Sequence, residues 1–381
     1  MRSGFGHGLW STNHMNIVAA TRAYEAWLAR QIEVVRADLA FKHSQMALGP
    51  FPFMRATYYR WAQTFPTVCP ELVAAPKVLA IGDLHVENFG TWRDTEGRLV
   101  WGINDFDEAH QLPYTNDLVR LAASARLAIA ADRVQIPFRE ACEAIESGYR
   151  SALEKGGRPI LLEERHRALR KQALGRLRDP ARFWAALAAL PVVRGRPPAG
   201  ALDLLRESLP ARVETPVLLR RRAGLGSLGH PRLILMIEWG GGLVAREAKS
   251  AVGSASSWLA EPDDFSPPLL YQRAVEQAVR CNDPFLTVKP GWIVRRLAPD
   301  CSRVELSSVP SRKDQAEWLS AMGWETANIH LGSARAAKEI PADLARRPGE
   351  WLRDAARAMV EVVRREQLEW AASFRGAAPA R

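Results

Sequence analysis

The chain has 381 residues, more than one hydrophobic core usually holds, so we expect two lobes or domains. Hydrophobic residues make up 47% and charged residues 25% of the sequence. That is the composition of a folded globular protein, and it excludes wholesale disorder. The 52 Lys and Arg residues outnumber the 42 Asp and Glu residues and give a net charge of +10. This charge would attract phosphate-bearing ligands or nucleic acid, but it does not distinguish between them.

Signals for membrane insertion, secretion and cysteine chemistry are absent from the sequence. The longest apolar stretch, residues 183–193, contains Pro191 and is far shorter than the about 20 residues that cross a bilayer. The N-terminal residues contain no continuous apolar segment of the kind found in secretory signals. The four cysteines are scattered without a CxxC pair and indicate neither a disulfide framework nor a zinc site. We therefore expect a cytoplasmic protein that does not engage a membrane.

The first part of the chain alternates between helical and strand patterns. Residues 17–42 place apolar side chains three and four positions apart, which predicts an amphipathic helix. Short apolar runs at 77–81 and 99–103 predict strands, because turn residues lie between them at 94–97. Helical periodicity returns over residues 116–155.

The second part of the chain predicts a sheet followed by helices. Residues 191–200 contain three prolines and two glycines, which indicates a linker or an irregular excursion. Apolar runs and a triple-glycine turn within 216–249 predict an antiparallel sheet. Residues 269–280 are helical in pattern, 292–297 predict a strand, and helices are expected from about 313 to the end. The predicted divisions are a largely helical part at 1–160, a basic helical segment and linker at 161–215, a β-rich part at 216–300, and C-terminal helices at 301–381.

The first candidate site combines GDLHVEN, at residues 82–88, with NDFD at residues 104–107. Phosphoryl transfer needs a group that accepts the proton of the incoming hydroxyl and oxygen ligands for one or two magnesium ions. Asp83, on a loop after a predicted strand, fits the catalytic base. Asn88, five residues later, and Asp105, after the next predicted hairpin, fit metal ligands. Asp107 is either a further metal ligand or an acceptor that stabilises the loop.

These two segments resemble the GDLHxxN and IDFxxA signatures of the aminoglycoside and choline phosphotransferase branch of the protein-kinase fold. Asp117 also resembles the aspartate that begins the helix after the metal motif in that branch. The sequence departs from the larger superfamily at Ile81, where a histidine is usual. This departure affects the packing beneath the catalytic loop and leaves Asp83 unchanged.

The second candidate site is a GxGxxG segment formed by Gly224, Gly226 and Gly229. Such a triplet is weak by itself, but Pro231 and the β-rich run after it favour a loop between strands over the helix of a Rossmann motif. Backbone amides of such a loop can approach phosphate oxygens. Lys249, on the predicted third strand, would contact the α- and β-phosphates of ATP. Glu276 on the next helix is the best-placed acidic partner for this lysine, and Glu247 and Glu261 are the competing candidates.

The glycine loop follows the catalytic loop here, whereas the order is the reverse in ordinary kinases. Either the glycine motif is a coincidence or the chain is a circularly permuted kinase-like fold. Residues 317–334, which include His330, resemble the helix that normally leads into the catalytic loop and favour permutation. If so, the Asp105 carboxylate should lie within roughly 10 Å of the Lys249 amine, and the helix near His330 should end close to Gly82.

The segments PFPFMR, IGDLHVENFG, INDFDEA, RRRAGLGSLGHPRLILMIE and REAKSA occur in this order. Together they resemble the bacterial domain-of-unknown-function 2252 family over residues 40–370, most of the chain. The resemblances imply an α+β, two-lobed protein-kinase-like fold, circularly permuted, with a small antiparallel β lobe and a larger helical lobe. In this fold residues 1–160 contain the catalytic and metal loops, residues 216–300 form the β-rich nucleotide-binding lobe, and residues 301–381 complete the helical lobe.

The resemblances also imply an ATP- and Mg-dependent phosphotransferase that acts on an unidentified small hydroxyl-bearing acceptor. A nucleotidyl (AMP) transferase on the same fold, with a small-molecule or protein acceptor, and a catalytically inactive nucleotide-binding scaffold are the alternatives.

The Arg-rich stretch at residues 163–182 raises nucleic acid as another partner. Leucines are interleaved with its basic residues, but the aromatic side chains that stack on bases are missing. A solvated helix face is therefore the favoured interpretation, and nucleic-acid binding is not expected. The sequence leaves open the acceptor, the choice of ATP or GTP, and the oligomeric state.

Overall fold

The protein is an α+β fold of helices and small antiparallel sheets. The structure, a computed structural model, describes residues 15–131, 135–162, 169–171, 179–211, 217–264, 268–301 and 311–376. Most of the Arg-rich stretch thus lies outside the described residues. In the described part of the chain, no helix is long and apolar enough to span a bilayer.

The helices and strands are numbered here in chain order. The described helices are Ile17–Gln31 (α1), Arg36–Met46 (α2), Pro50–Ala56 (α3), Tyr58–Val68 (α4), Pro70–Val73 (α5), Tyr114–Ala130 (α6), Phe138–Lys155 (α7), Pro180–Ala188 (α8), Ala201–Glu207 (α9), Ala255–Ala260 (α10), Tyr271–Gln277 (α11), Arg312–His330 (α12), Ala334–Ala337 (α13), Ile340–Arg346 (α14) and Trp351–Gly376 (α15). The strands are Lys77–Ala80 (β1), Phe89–Arg93 (β2), Leu99–Ile103 (β3), His110–Pro113 (β4), Ile160–Leu161 (β5), Leu218–Arg220 (β6), Arg232–Trp239 (β7), Gly242–Ser250 (β8), Thr287–Lys289 (β9) and Trp292–Leu297 (β10).

The expected single helix over residues 17–42 is wrong, because the chain forms α1 and α2 with a break between them. Ile32 is extended, with φ −141° and ψ 160°, and Val34 and Val35 are β-branched residues that disfavour helix. The backbone N–H of Val35 donates to Gly229 O at 2.8 Å. The break therefore brings the start of α2 to the glycine loop.

The β2–β3 hairpin explains how two distant motifs meet. The strands are antiparallel, with Phe89 paired to Ile103. The residue before β2, Asn88, and the residue after β3, Asn104, consequently lie side by side, and the Asn104 N–H donates to the Asn88 carbonyl at 3.2 Å. Asp105 follows directly, so the hairpin places it near the loop that carries Asn88.

A five-stranded antiparallel sheet contains the glycine segment. Its order is β6-β7-β8-β10-β9, and residues 221–231 connect β6 to β7. The sequence analysis predicted that the glycine segment joins two strands and does not begin a helix. The structure confirms this prediction. Two helices from the predicted linker region, α8 and α9, pack on this sheet in separate hydrophobic clusters. Residues 180–207, which the sequence analysis assigned to the basic segment and linker, thus pack against the five-stranded sheet.

The main hydrophobic core is formed by helices from both ends of the chain. Helix α12 packs closely along α7, and its fully buried Trp318 meets Trp101 of β3 edge to face, with ring centroids 5.5 Å apart. The N–H of Leu79, on β1, donates to the Ser333 side chain just after α12 at 2.8 Å. The C-terminal end of α12 consequently lies beside the strand that leads into Gly82, as expected.

Candidate active site in the cleft

A cleft of about 400 Å³ lies between the five-stranded sheet and the helical core. The sequence-predicted residues that line it are Asp83, Asn88, Asp105, Asp107, Gly224 and Gly226. The loop that carries Asp83, the loop that carries Asp105 and Asp107, and the glycine loop therefore share one cavity.

Lys249 joins the two motif groups across this cleft. Its Nζ lies 3.4 Å from Asp105 Oδ1 and also contacts Asp107 Oδ2. The expected approach of Lys249 to Asp105 within 10 Å is confirmed. Burial alone would raise the pKa of Asp105, because it disfavours the charged carboxylate. The positive charges of Lys249, Arg232 and Arg295 outweigh this effect and lower the pKa of Asp105. Burial lowers the pKa of Lys249, and Asp105 opposes this effect.

Two oxygens beside this pair are buried without a hydrogen-bond donor among the described residues: Asn88 Oδ1 and Asp107 Oδ1. Such orphaned acceptors are costly unless a cation or a donor satisfies them. Amide and carboxylate oxygens suit magnesium, which is usually held by one or two carboxylates together with phosphate and water. In the described residues, no three His, Cys, Asp or Glu side chains form a metal cluster. The arrangement of Asn88, Asp105 and Asp107 fits a magnesium ion that needs phosphate oxygens to complete its ligands.

Asp83 is held by a fully buried arginine. Arg120 Nε donates to Asp83 Oδ1 at 3.0 Å, and Arg120 Nη2 contacts the same oxygen. The Met54 carbonyl accepts a further bond from Arg120 at 2.9 Å. Burial raises the pKa of Asp83, and Arg120 offsets part of this rise. A raised pKa makes a carboxylate a better proton acceptor.

The backbone beneath Asp83 is fixed by Asp117. Its carboxylate accepts hydrogen bonds from Ile81 N at 2.7 Å and Gly82 N at 3.0 Å. Gly82 has φ +80°, and a Cβ there would lie 2.3 Å from the Glu108 carbonyl, so both conformation and space require glycine. His330 Nε2 completes the set 3.0 Å from Asp117. The buried His330 of α12 thus joins the network beneath the loop that carries Asp83.

The glycine loop lies directly over the loop that carries Asp83. A Cβ on Gly226 would be 3.1 Å from Asp83 Oδ2, so the loop backbone approaches this carboxylate as only glycine allows without displacement. Lys42, on α2, donates to the Gly226 carbonyl at 2.9 Å. Helix α2 therefore holds the loop over the cleft. Gly229, whose φ is +103°, accepts the Val35 bond described above.

The predicted pairing of Lys249 with Glu276 is wrong. Glu276 is exposed on α11, and its carboxylate accepts from Gln272 Nε2 at 2.6 Å. Lys249 is buried and meets Asp105 and Asp107 instead. The prediction failed because α11 turns the Glu276 side chain to the solvent.

Glu108 is a cleft residue that the sequence analysis missed. Its Oε2 accepts from Ala255 N at 2.6 Å. Burial raises the pKa of Glu108 to about 7, and the charge of Asp83 contributes to the rise. A carboxyl group with this pKa can hold or release a proton near neutral pH. Its position three residues after Asp105 gave no signal, because a lone Glu in a loop is usually solvated.

Arg120 was also missed as a site residue, and Glu247 was considered only as a competing acidic partner of Lys249, but the sequence carried a signal for each. Arg120 lies three residues after Asp117 on α6, so the two side chains point to the same side of a helix. Glu247 lies two residues before Lys249, so both side chains point to the same face of β8. Both residues therefore follow from the secondary structure once Asp117 and Lys249 are placed.

Comparison with known proteins connects part of the chain to one family. Residues 34–182 match the model of a family described as "Uncharacterized protein conserved in bacteria (DUF2252)", so the resemblance to this bacterial family is confirmed over that segment. The match includes Asp83, Asn88 and Asp105 and ends before the glycine loop and Lys249. No curated protein and no solved structure matches the chain.

Proposed function

We propose that this protein is an ATP- and magnesium-dependent phosphotransferase that acts on a hydroxyl-bearing acceptor. The observation that carries the proposal is the meeting of Lys249 and Asp105 at 3.4 Å across the cleft. The two residues are 144 positions apart and come from motifs that both serve the phosphate chain in kinases. A chance match of either motif would not require Lys249 to contact Asp105, which lines the same cavity as Asp83.

The arrangement of the sheet supports a kinase-like and circularly permuted fold. In protein kinases the glycine loop joins the first two strands of the small lobe, and the lysine lies on the third. Here residues 221–231 join β6 to β7, and Lys249 lies on β8. The helix that resembles the one before the catalytic loop, α12, comes last in the chain but ends beside β1. Permutation accounts for this order.

The proposed reaction transfers one phosphoryl group to the acceptor and one proton to Asp83. The acceptor hydroxyl oxygen forms a bond to the γ-phosphorus of ATP, the bond from that phosphorus to the β–γ bridging oxygen breaks, and ADP leaves with the electron pair. Asp83 takes the hydroxyl proton, and its raised pKa favours this role. Arg120 orients the Asp83 carboxylate by bonding one of its oxygens. The other oxygen, Oδ2, lies beneath Gly226.

The nucleotide would be held by the glycine loop, by Lys249 and by the ligands of a magnesium ion. Backbone amides of the glycine loop and the Lys249 ammonium are suited to phosphate oxygens, and Asn88, Asp105 and Asp107 would hold magnesium. When bound, magnesium neutralises the charge of the phosphate chain. Lys249 must exchange its carboxylate partners for phosphate, and the glycine loop must make room above Asp83.

The proposal is tested by incubating the protein with ATP, magnesium and a metabolite extract and analysing the products by mass spectrometry. We expect ADP and an acceptor that has gained one phosphoryl group, and we expect neither with the Asp83→Asn variant. An acceptor that has gained AMP, with release of pyrophosphate, would show nucleotidyl transfer. A folded protein that produces neither product would favour the inactive scaffold.

A further inference from the structure

Three arginines converge on one buried glutamate at the edge of the cleft. Glu247 is fully buried, and its carboxylate accepts from Arg221 Nη1 at 2.6 Å, Arg232 Nη1 at 2.9 Å and Arg295 Nη2 at 3.0 Å. These four residues are called the Glu247 cluster. Its arginines line the same cavity as the candidate catalytic residues, and Glu247 shares a strand face with Lys249.

The charge of the Glu247 cluster is not balanced within it. Three guanidinium groups meet a single carboxylate within the cluster. The nearby Asp105 carboxylate, which also pairs with Lys249, offsets part of the remaining positive charge on Arg232 and Arg295. The arginines outweigh burial and lower the pKa of Glu247, which stays ionised. Partly buried cations are costly without anionic partners. The positive charge that remains therefore suits a ligand with several negative charges.

Arg232 supplies a second and independent observation. Only 4% of the residue is exposed, and its Nε is buried with no hydrogen-bond partner among the described residues. Its Nη2 donates to Ser227 Oγ of the glycine loop at 2.8 Å. A Cβ on Gly224, whose φ is +74°, would lie 2.8 Å from the same Nη2. The guanidinium thus lies against the underside of the loop, where the phosphates of the proposed nucleotide would bind.

The adjoining apolar part of the sheet is covered by another element of the chain. Ile234, Ala245 and Leu297 are buried in a cluster with Phe183 and Leu187 of α8. Helix α8 therefore covers much of the surface next to the Glu247 cluster, and of these three sheet residues Leu297 still lines the cleft. Near Lys249 the sheet side of the cleft presents the guanidinium groups of the cluster.

Resting on the proposed function, we propose that the Glu247 cluster is an anion subsite that binds the donor through its polyphosphate chain. Arg221 and Arg295 have side chains 22% and 30% exposed, so they can reach a ligand in the cleft. Their planar guanidinium groups match phosphate oxygens in two-bond geometry. The chemical class of ligand is a polyphosphate anion.

The test measures binding of inorganic tripolyphosphate, ATP and adenosine to the whole protein by calorimetry with magnesium present. We expect tripolyphosphate to bind within about tenfold of ATP and adenosine to show no binding. Arg221→Ala and Arg295→Ala should each weaken tripolyphosphate binding by about tenfold or more, since each removes charge-assisted hydrogen bonds. The matched control is Arg150→Ala: Arg150 is 37% exposed and paired with Glu146, lies on α7 outside the cleft, and should change affinity less than about twofold.

The possible failures separate this inference from the proposed function. If ATP binds but tripolyphosphate does not, or if Arg295→Ala behaves like Arg150→Ala, the anion subsite is refuted and the phosphotransferase proposal stands. If the folded protein binds neither ligand, both are refuted. Should the alanine variants fail to fold, Arg221→Gln and Arg295→Gln keep much of the side-chain volume and carry the same expectation.

Discussion

His330 Nε2 lies 3.0 Å from Asp117 Oδ2, although 213 positions separate the two residues. Both side chains are fully buried. Asp117 also accepts the amides of Ile81 and Gly82, and Tyr149 OH lies 2.8 Å from His330 Nδ1. Helix α12, which ends at His330, is therefore connected through the Asp117 carboxylate to the loop that carries Asp83.

This connection predicts that Asp117→Asn destabilises the fold. One carboxylate oxygen becomes an NH₂ group, so at least one buried amide of Ile81 or Gly82 loses its acceptor. We expect the free energy of unfolding to fall by about 1 to 3 kcal/mol in urea titrations. The control is Glu361→Gln, because Glu361 is 72% exposed, and its effect should stay within about 0.5 kcal/mol. Equal effects of the two substitutions would contradict the assigned role of Asp117.

Asp105→Asn should abolish magnesium-dependent ATP binding and leave the protein folded. The change removes charge with little change in volume, and Lys249 keeps Asp107 as its partner. The measurement is ATP affinity with magnesium and with EDTA, alongside circular dichroism as a check of folding. Magnesium-dependent affinity equal to that of the wild type would refute Asp105 as a metal ligand.

Asp83→Asn should remove transfer and spare ATP binding, since the base acts on the acceptor and not on the phosphates. We expect the rate to fall by about 10²-fold or more, with ATP affinity within about twofold of the wild type. Stability should also fall, because buried Arg120 loses its charged partner. Asp94→Asn is the matched control: Asp94 is buried, paired with Arg98 and absent from the cleft lining. A loss of nucleotide affinity as large as that of Asp105→Asn would show that the two roles are misassigned.

Glu325 predicts a specific pH dependence of stability. Glu325 is buried on α12, and its Oε1 lies so close to Gly102 that a Cβ there would be 2.3 Å away. Burial raises the pKa of Glu325 to about 7. The folded state holds this proton between about pH 4.5 and 7, whereas the unfolded state has released it. Glu325 therefore stabilises the fold fully below about pH 4.5, and this contribution is lost as the pH rises through 7.

The Glu325→Gln variant isolates that contribution. Relative to this variant, the wild type should lose stability between pH 4.5 and 7, by about 1.4 kcal/mol for each unit of pKa shift. Glu317→Gln, an exposed position on the same helix, should show no such trend. A wild-type advantage over Glu325→Gln that stays constant or grows with pH in denaturation experiments would contradict the raised pKa.

The sequence predicted the strands and the cleft residues better than the contacts between side chains. The strands over 99–103 and 292–297 appear with the predicted bounds, because short apolar runs with turn residues beside them define a strand locally. The pairing of Lys249 did not follow, since it depends on how the sheet, α11 and the metal loop are oriented. Glu276 was chosen by its position on the next helix, and no local pattern revealed that its side chain points to the solvent.

The Glu247 cluster shows the same difference between strand positions, which the sequence predicts, and side-chain contacts, which it does not. The sequence places Glu247 on the face of Lys249, but its arginines come from three strand regions, around positions 221, 232 and 295. Only the register of the sheet, in which Arg295 pairs with Glu247 and Arg232 with Lys249, brings them together. That register depends on long-range pairing, which short sequence patterns do not specify.

The central claim is that one cleft transfers the γ-phosphoryl group of ATP to an acceptor. It is tested most directly by following two samples of ATP, one labelled in the γ-phosphate and one in the α-phosphate, in reactions with magnesium and a metabolite extract. We predict that the γ-label alone enters the acceptor, that ADP forms in equal amount, and that Asp105→Asn abolishes both. Entry of the α-label into the acceptor, or no label transfer by the folded wild-type protein, would contradict the claim.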